Sequence, residues 1–317
     1  MSELLTENAK GVYIISATPF TDDGAVDHAS LDGLTDFYLH HGVTGITILG
    51  MMGEAPKLTA EESVGVLSRV LKRVDGRVPV VVGVSNAGLD NLVTLSKTAM
   101  DHGAAGVMVA PGASAKTETG LLTYFKSIAD RLPGVPLVYQ DFPLSTAMPI
   151  SAEGFTTIVE ELPSVVMLKH EDWPGLQKLS RVRALAEERG ARRVSILCGN
   201  GGLYLPQELT RGADGAMTGF AYPEMLVEVV RRHHAGDIDG AEDVFDAYLP
   251  IVRHEQQPGF GLAVRKEILR RRGVIRSAAV RAPGPKLDAA AHEELTRLMD
   301  RLARNLDRLA PVKDAAQ

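Results

Sequence analysis

The chain has one cysteine, Cys198, in 317 residues, so no internal disulfide framework holds it together. No apolar run approaches the roughly 18 residues a transmembrane helix needs. Nothing in the segment Met1 to Lys10 resembles the apolar core of a signal peptide, and a reducing cytoplasm is the expected compartment. The net charge of -6 leaves no basic excess, and no nucleic-acid partner is expected. Metal-ligand clusters are also missing. The adjacent pairs His40-His41 and His233-His234 fall in helical segments and point to different faces, which excludes the ligand set of a metal-dependent aldolase. There is no Gly-x-Ser-x-Gly nucleophile elbow and no Walker or dinucleotide-binding glycine motif at a strand-helix junction. No cofactor is therefore expected.

What remains is a chain able to bury a large core, with 45% hydrophobic and 23% charged residues. Its length fits one closed α/β barrel of about 250 residues plus an appendage. Eight short apolar runs alternate with longer segments of helical period: Val12 to Thr18, Gly45 to Leu49, Val78 to Val84, Gly106 to Ala110, Leu137 to Gln140, Val165 to Lys169, Ser195 to Cys198 and Gly215 to Thr218. Continuous apolar character marks parallel strands covered on both faces. Eight such units predict a (β/α)8 TIM barrel. Thr59 followed by Glu62 predicts a capping box. His41-Gly42, His102-Gly103 and Arg211-Gly212 open three similar turns before the second, fourth and eighth strands, where a glycine supplies the left-handed helix stop. After Tyr222-Pro223 only helical pattern remains: Glu224 to Ala235, Ile238 to Gln256 with a break expected at Pro250, Leu262 to Arg272, and Ala289 to Leu309. The predicted division is a barrel over residues 1–223 and a helical subdomain over 224–317. Arg281 to Pro285 forms the one clear linker. Leu295, Leu298, Leu302, Leu306 and Leu309 form a stripe that needs a surface to cover.

In such a barrel the active site is built from whatever follows the C-terminal end of each strand. Those positions hold Thr18-Pro19, Gly50-Met51-Met52-Gly53-Glu54, Ser85-Asn86, Pro111-Gly112, Tyr139-Gln140-Asp141, Lys169-His170-Glu171-Asp172, Gly199-Asn200-Gly201-Gly202 and Met217-Thr218-Gly219. Lys169 is the only lysine among them. It closes a buried strand, where an amine freed of its proton can attack a carbonyl. Lys116, in a loop among polar neighbours, lacks that setting. Asn200 with its flanking glycines can bind a polar group or simply turn the chain. The acidic run after Lys169 can orient a water or substrate hydroxyl, or stand as a solvated loop with Asp172 capping a helix that has Pro174 in its first turn.

Together, Thr18-Pro19-Phe20, the Gly-x-x-Gly-Glu frame of Gly50 to Glu54 followed by Leu58-Thr59, Gly83 with Asn86, Tyr139 and Lys169 resemble the dihydrodipicolinate synthase and N-acetylneuraminate lyase family across about Gly11 to Phe220. The resemblance implies that Lys169 forms a Schiff base with pyruvate or another 2-oxo acid and that Tyr139 moves protons. It also implies that the backbone of Met51 to Gly53 grips the carboxylate and that the protein is a homo-oligomer, a dimer or tetramer. The substrate-binding set expected is Thr18, Gly50, Met51, Met52, Gly53, Glu54, Gln140, Gly199, Asn200 and Met217.

Departures from the family pattern bear on the substrate. Met51-Met52 replaces the usual threonine pair. Tyr139 is one residue farther from Pro143 than the family spacing, which can re-aim Tyr139 or present Gln140 instead. Gly112-Ala113 stands where the synthases carry a second tyrosine, and Leu144-Ser145-Thr146 where they carry an arginine. Lysine biosynthesis is therefore disfavoured, as is a sialic acid substrate. The expected activity is aldol bond making or breaking by a Schiff-base lyase. A Schiff-base dehydratase, decarboxylase or deaminase of a sugar acid or hydroxylated ring is the enzyme alternative, and a noncatalytic 2-oxo acid binder is the alternative of another class.

Overall fold

The computed structural model describes residues 3–112 and 115–309. The N-terminal Met1-Ser2, the Ala113 at the missing second tyrosine and the tail end of the predicted subdomain lie outside the described residues. The eight apolar runs form strands β1 Gly11–Ile15, β2 Gly45–Ile48, β3 Val80–Gly83, β4 Gly106–Val109, β5 Leu137–Asp141, β6 Val165–His170, β7 Ser195–Cys198 and β8 Gly215–Ala216. They pair in parallel and in sequence order, and β1 closes the barrel on β8 through Val12 and Ala216. The helices are α1 His28–His40, α2 Ala60–Val74, α3 Leu89–Asp101, α4 Glu118–Arg131, the single turn α5 Pro143–Thr146, α6 Ala152–Glu161, α7 Gly175–Arg189, α8 Leu205–Thr210, α9 Pro223–His234, α10 Ile238–Glu255, α11 Gly261–Arg271 and α12 Ala289–Leu309. No described helix is long and apolar enough to cross a membrane.

Side chains alternate across each strand, so two cores form. Tyr13, Ile15, Val81, Met108, Val138, Met167, Leu197 and Met217 fill the inside of the barrel. Ile14, Ile46, Val82, Val107, Tyr139, Leu168 and Ile196 join the helices outside. Thr59 and Glu62 form the expected capping box at the start of α2. Gly42, Gly103 and Gly212 all have φ between 72° and 97°, the left-handed stop their shared turn requires.

One expectation needs correction. The helix α10 runs unbroken through Pro250. Ala247, Tyr248, Ile251 and Val252 are buried on both sides of the proline, so packing holds the helix where the lost backbone bond would loosen it. α9, the first helix of the predicted subdomain, packs against β1 and β8 as well as against α10. The stripe on α12 lies against α10, with Leu295 and Leu302 buried, while Leu309 stays exposed.

The linker at Arg281 is pinned rather than free. Its guanidinium donates to both oxygens of Glu62, to the Lys57 carbonyl and to the Gly24 carbonyl. A segment from the C-terminal helices is thereby held against the strand ends of the barrel.

Candidate active site

Lys169 is the penultimate residue of β6, on its inward face, and only 4% exposed. Two residues on, Glu171 shares that face, and its Oε2 lies 2.8 Å from Lys169 Nζ. The same oxygen accepts a hydrogen bond from Gln140 Nε2 at 2.9 Å. Gln140 is the β5 residue registered opposite Lys169, which explains how the amide reaches across. Gly199 leaves the space Glu171 needs, since a methyl there would overlap the Glu171 Cγ. Asn200 Nδ2 donates to the Glu171 carbonyl at 3.2 Å, and the Glu171 amide donates to Asp141 O at 2.9 Å. The carboxylate is thus fixed by its backbone as well as by its side chain.

These groups face a cavity of about 90 Å³. Met51, Met52, Gln140, Lys169, Glu171 and Asn200 line it, together with Ile15, Phe142, Gly201, Thr218 and Gly219. A larger hollow of about 970 Å³ lies elsewhere, between the loop at Asp22 to Gly24 and residues 276–287, and does not include Lys169.

The turn after β2 is a 3₁₀ helix over Met51–Gly53. Its Gly53 and Glu54 amides bond back to Gly50 O and Met51 O. The Met51 and Met52 amides have no acceptor among the described residues, the arrangement a carboxylate clamp requires. Thr18 Oγ1 holds the turn by donating to Gly53 O at 2.6 Å. Met51 Sδ takes a contact from Ser145 Oγ at 3.0 Å, so the loop after β5 leans on the turn after β2. Gly50, Gly53 and Thr18 shape the turn without lining the cavity.

Tyr139 does not fit the role expected of it. It is registered with Leu168, whose side chain also points away from the barrel interior. Its ring stacks on Phe125 of α4 at 4.7 Å and meets Phe155 of α6 edge-on. It is fully buried there, its hydroxyl has no partner among the described residues, and burial raises its pKa well above 10. The cause is strand parity. The residue opposite Lys169 is Gln140, so Tyr139 must face the helices, and the lengthened spacing to Pro143 was the sequence signal of this.

Glu54 also departs from expectation. It is 2% exposed with φ 56°, and Lys266 of α11 donates to Oε1 at 2.6 Å. Oε2 accepts from Lys57 Nζ at 2.9 Å and from the Arg281 amide at 3.0 Å. With both oxygens occupied, Glu54 anchors the C-terminal segment and does not face the cavity. Met217 lies within the barrel core and outside the cavity wall. Asp172 does not cap α7, which begins at Gly175 after Pro174; its Oδ2 instead accepts from Lys178 at 2.9 Å.

Among the polar side chains of the wall, Gln256 and Arg265 were not named from sequence, and Thr218 only as a strand-end position. Thr218 accepts from the Gly201 amide at 2.7 Å. Gln256 and Arg265 come from the C-terminal helical part, at the end of α10 and within α11, and reach the cavity over the ends of β7 and β8. No strand-end rule points to them.

Behind β6, on its outer face, lies a second buried polar group. His170 Nε2 donates to Gly175 O at 2.9 Å, and Nδ1 sits 3.6 Å from Asp141 Oδ2, which also accepts from Lys178. Burial opposes charge on His170, but Asp141 outweighs it and raises the imidazole pKa above 6.5. Burial pushes Glu208 of α8 up to about 7 and raises the neighbouring Cys198 thiol.

Residues 8–302 match the dihydrodipicolinate synthetase family. A 4-hydroxy-tetrahydrodipicolinate synthase of Sorangium cellulosum is 32% identical over 92% of this chain and 95% of its own length. An L-2-keto-3-deoxyarabonate dehydratase of Azospirillum brasilense is 29% identical over 95% and 97%. Among solved structures, the crystal structure of dihydrodipicolinate synthase from Rhodopseudomonas palustris superposes with a TM-score of 0.92 at 47% identity, covering 95% of this chain and all of that one.

Proposed function

The chain belongs to the dihydrodipicolinate synthetase family, and on that footing we propose that it is a Schiff-base lyase in which Lys169 condenses with the ketone of a 2-oxo acid and Glu171 moves the protons. The observation that carries this is the 2.8 Å contact between Lys169 Nζ and Glu171 Oε2 inside the cavity at the strand ends. Family members act through a lysine imine, and here the carboxylate is within proton-transfer reach of the amine.

In this scheme Glu171 takes a proton from the Lys169 ammonium, and the free amine attacks C2 of the 2-oxo acid. Loss of water gives the imine, and protonation of its nitrogen makes it an electron sink. The Met51 and Met52 amides hold the substrate carboxylate. Cleavage of the bond between C3 and C4 of a 4-hydroxy-2-oxo acid then delivers its electron pair into the imine. This gives an enamine and an aldehyde, the C4 hydroxyl surrendering its proton. Reversal makes the same bond. Gln140 keeps the Glu171 oxygen turned toward the nitrogen.

Dehydration is the second reading, and one feature favours it. A carboxylate rather than a phenol stands beside the imine nitrogen, suited to abstracting the C3 proton so that the enamine expels a C4 hydroxide. The relative named as a dehydratase, aligned over nearly its whole length, supports this reading. Leu144-Ser145-Thr146 in place of an arginine speaks against dihydrodipicolinate formation. We also take the protein to act as a homo-oligomer, which light scattering on the purified chain tests.

Borohydride reduction after adding pyruvate, followed by peptide mass spectrometry, tests the imine. A reduced adduct confined to Lys169 and absent from Lys169→Ala supports the lyase. Binding of 2-oxo acids without any adduct would leave a noncatalytic binder in its place. Product analysis then separates aldehyde plus pyruvate from a deoxy-oxo acid.

A further inference from the structure

Two glycines at the cavity, Gly201 after β7 and Gly219 after β8, are each covered by a side chain from the C-terminal helices. A methyl on Gly219 would overlap Arg265 Nη1, and one on Gly201 would overlap Gln256 Nε2. Arg265 is 1% exposed. Its Nε donates to Glu255 and its Nη2 to Gly219 O at 2.6 Å, while Nη1 has no partner among the described residues. Gln256 Nε2 is likewise buried and unpaired. Both residues line the cavity that holds Lys169. Leaving two buried donors empty is costly, and a guanidinium can only donate, so the missing partners are acceptor oxygens.

We propose that Arg265 and Gln256 form a specificity subsite for a hydroxyl oxygen on the substrate chain beyond C3, which makes the substrate a hydroxylated 2-oxo acid. This rests on the Schiff-base reading of Lys169. The charge balance of the wall selects hydroxyl over a second carboxylate. Glu255 neutralises Arg265 and Glu171 neutralises Lys169, while the head carboxylate goes to the Met51 and Met52 amides. A second carboxylate would add an uncompensated buried charge, whereas a hydroxyl adds none.

The test measures the half-saturating concentration for borohydride-trapped adduct at Lys169 with three probes: pyruvate, 2-oxoglutarate and 4,5-dihydroxy-2-oxopentanoate. The dihydroxy acid is expected to saturate the wild type at about tenfold lower concentration than either of the others. That advantage is expected to fall by about tenfold in Arg265→Lys and in Gln256→Leu. Gln256→Leu decides the matter if the arginine variant does not fold, because no buried ion pair depends on it. Equal saturation by the three probes, preference for 2-oxoglutarate, or variants that weaken all three alike would overturn the subsite. Adduct with pyruvate alongside any of these leaves the Schiff-base reading standing. No adduct with any probe in the wild type would overturn both.

Discussion

Lys169 and Glu171 stand two residues apart at the end of β6, and their side chains meet at 2.8 Å because a period of two sends both into the barrel mouth. His170, between them, faces the helices and joins Asp141. In the proposed scheme one strand end thus supplies the nucleophile and its proton acceptor together.

If Glu171 moves the protons, Glu171→Gln keeps the hydrogen-bonding shape and loses the base. Turnover should fall by 10²- to 10⁴-fold, while slow borohydride trapping at Lys169 persists. Steady-state rates on the identified substrate check this. A loss under tenfold would assign the proton transfers to another group.

Tyr139 offers the sharpest contrast with the family pattern. Tyr139→Phe removes a buried hydroxyl that has no partner, so the protein should be as stable as the wild type or up to about 1 kcal/mol more stable. Its activity should stay within about threefold of wild type, against the 10²-fold or greater loss that removal of a general acid-base group brings. Thermal melts and kinetics on the one variant decide both.

The barrel was legible because eight apolar runs of strand length leave few other arrangements, and Lys169 because it is the only lysine at a strand end. Tyr139 misled because residue type was weighed above parity. Once Lys169 faces inward, registration fixes Gln140 as its neighbour on β5, but registration is a pairing between strands and is not written in either one. Gln256 and Arg265 were beyond reach for a related reason. They come from helices separated in sequence from the strand ends they cover, and only the folded packing of α10 and α11 brings them there.

Glu54 marks the difference between a substrate contact and an anchor. Lys266 is buried against it and lies over the Phe20 ring at 4.4 Å, with burial lowering the lysine's pKa against the pull of Glu54. Glu54→Gln should cost about 3–5 kcal/mol by leaving the buried Lys266 charge without its carboxylate. The double variant Glu54→Gln/Lys266→Met should recover much of the loss. Urea denaturation of the single and double variants checks the coupling. A single variant of unchanged stability but weakened substrate binding would return Glu54 to the site.

The outer face of β6 sets a pH dependence of stability. Glu208 has its folded pKa raised to about 7 by burial, so its contribution is complete below the ordinary value of 4.5 and is lost as pH rises through about 7. His170, raised above 6.5, acts in the same direction: its contribution is present below 6.5 and disappears as pH climbs past its folded value. Both losses run in the same direction, and melting temperature should fall between pH 5.5 and 8. Glu208→Gln mimics the protonated acid at every pH. Its advantage over the wild type should grow between pH 5.5 and pH 8 by on the order of 2 kcal/mol. Calorimetry of both proteins at the two pH values makes the comparison, and a gap that does not change with pH would remove Glu208 as the titrating group. The remaining slope in Glu208→Gln then belongs to His170, and Asp141→Asn, which removes the carboxylate that holds the imidazole charged, should flatten it further.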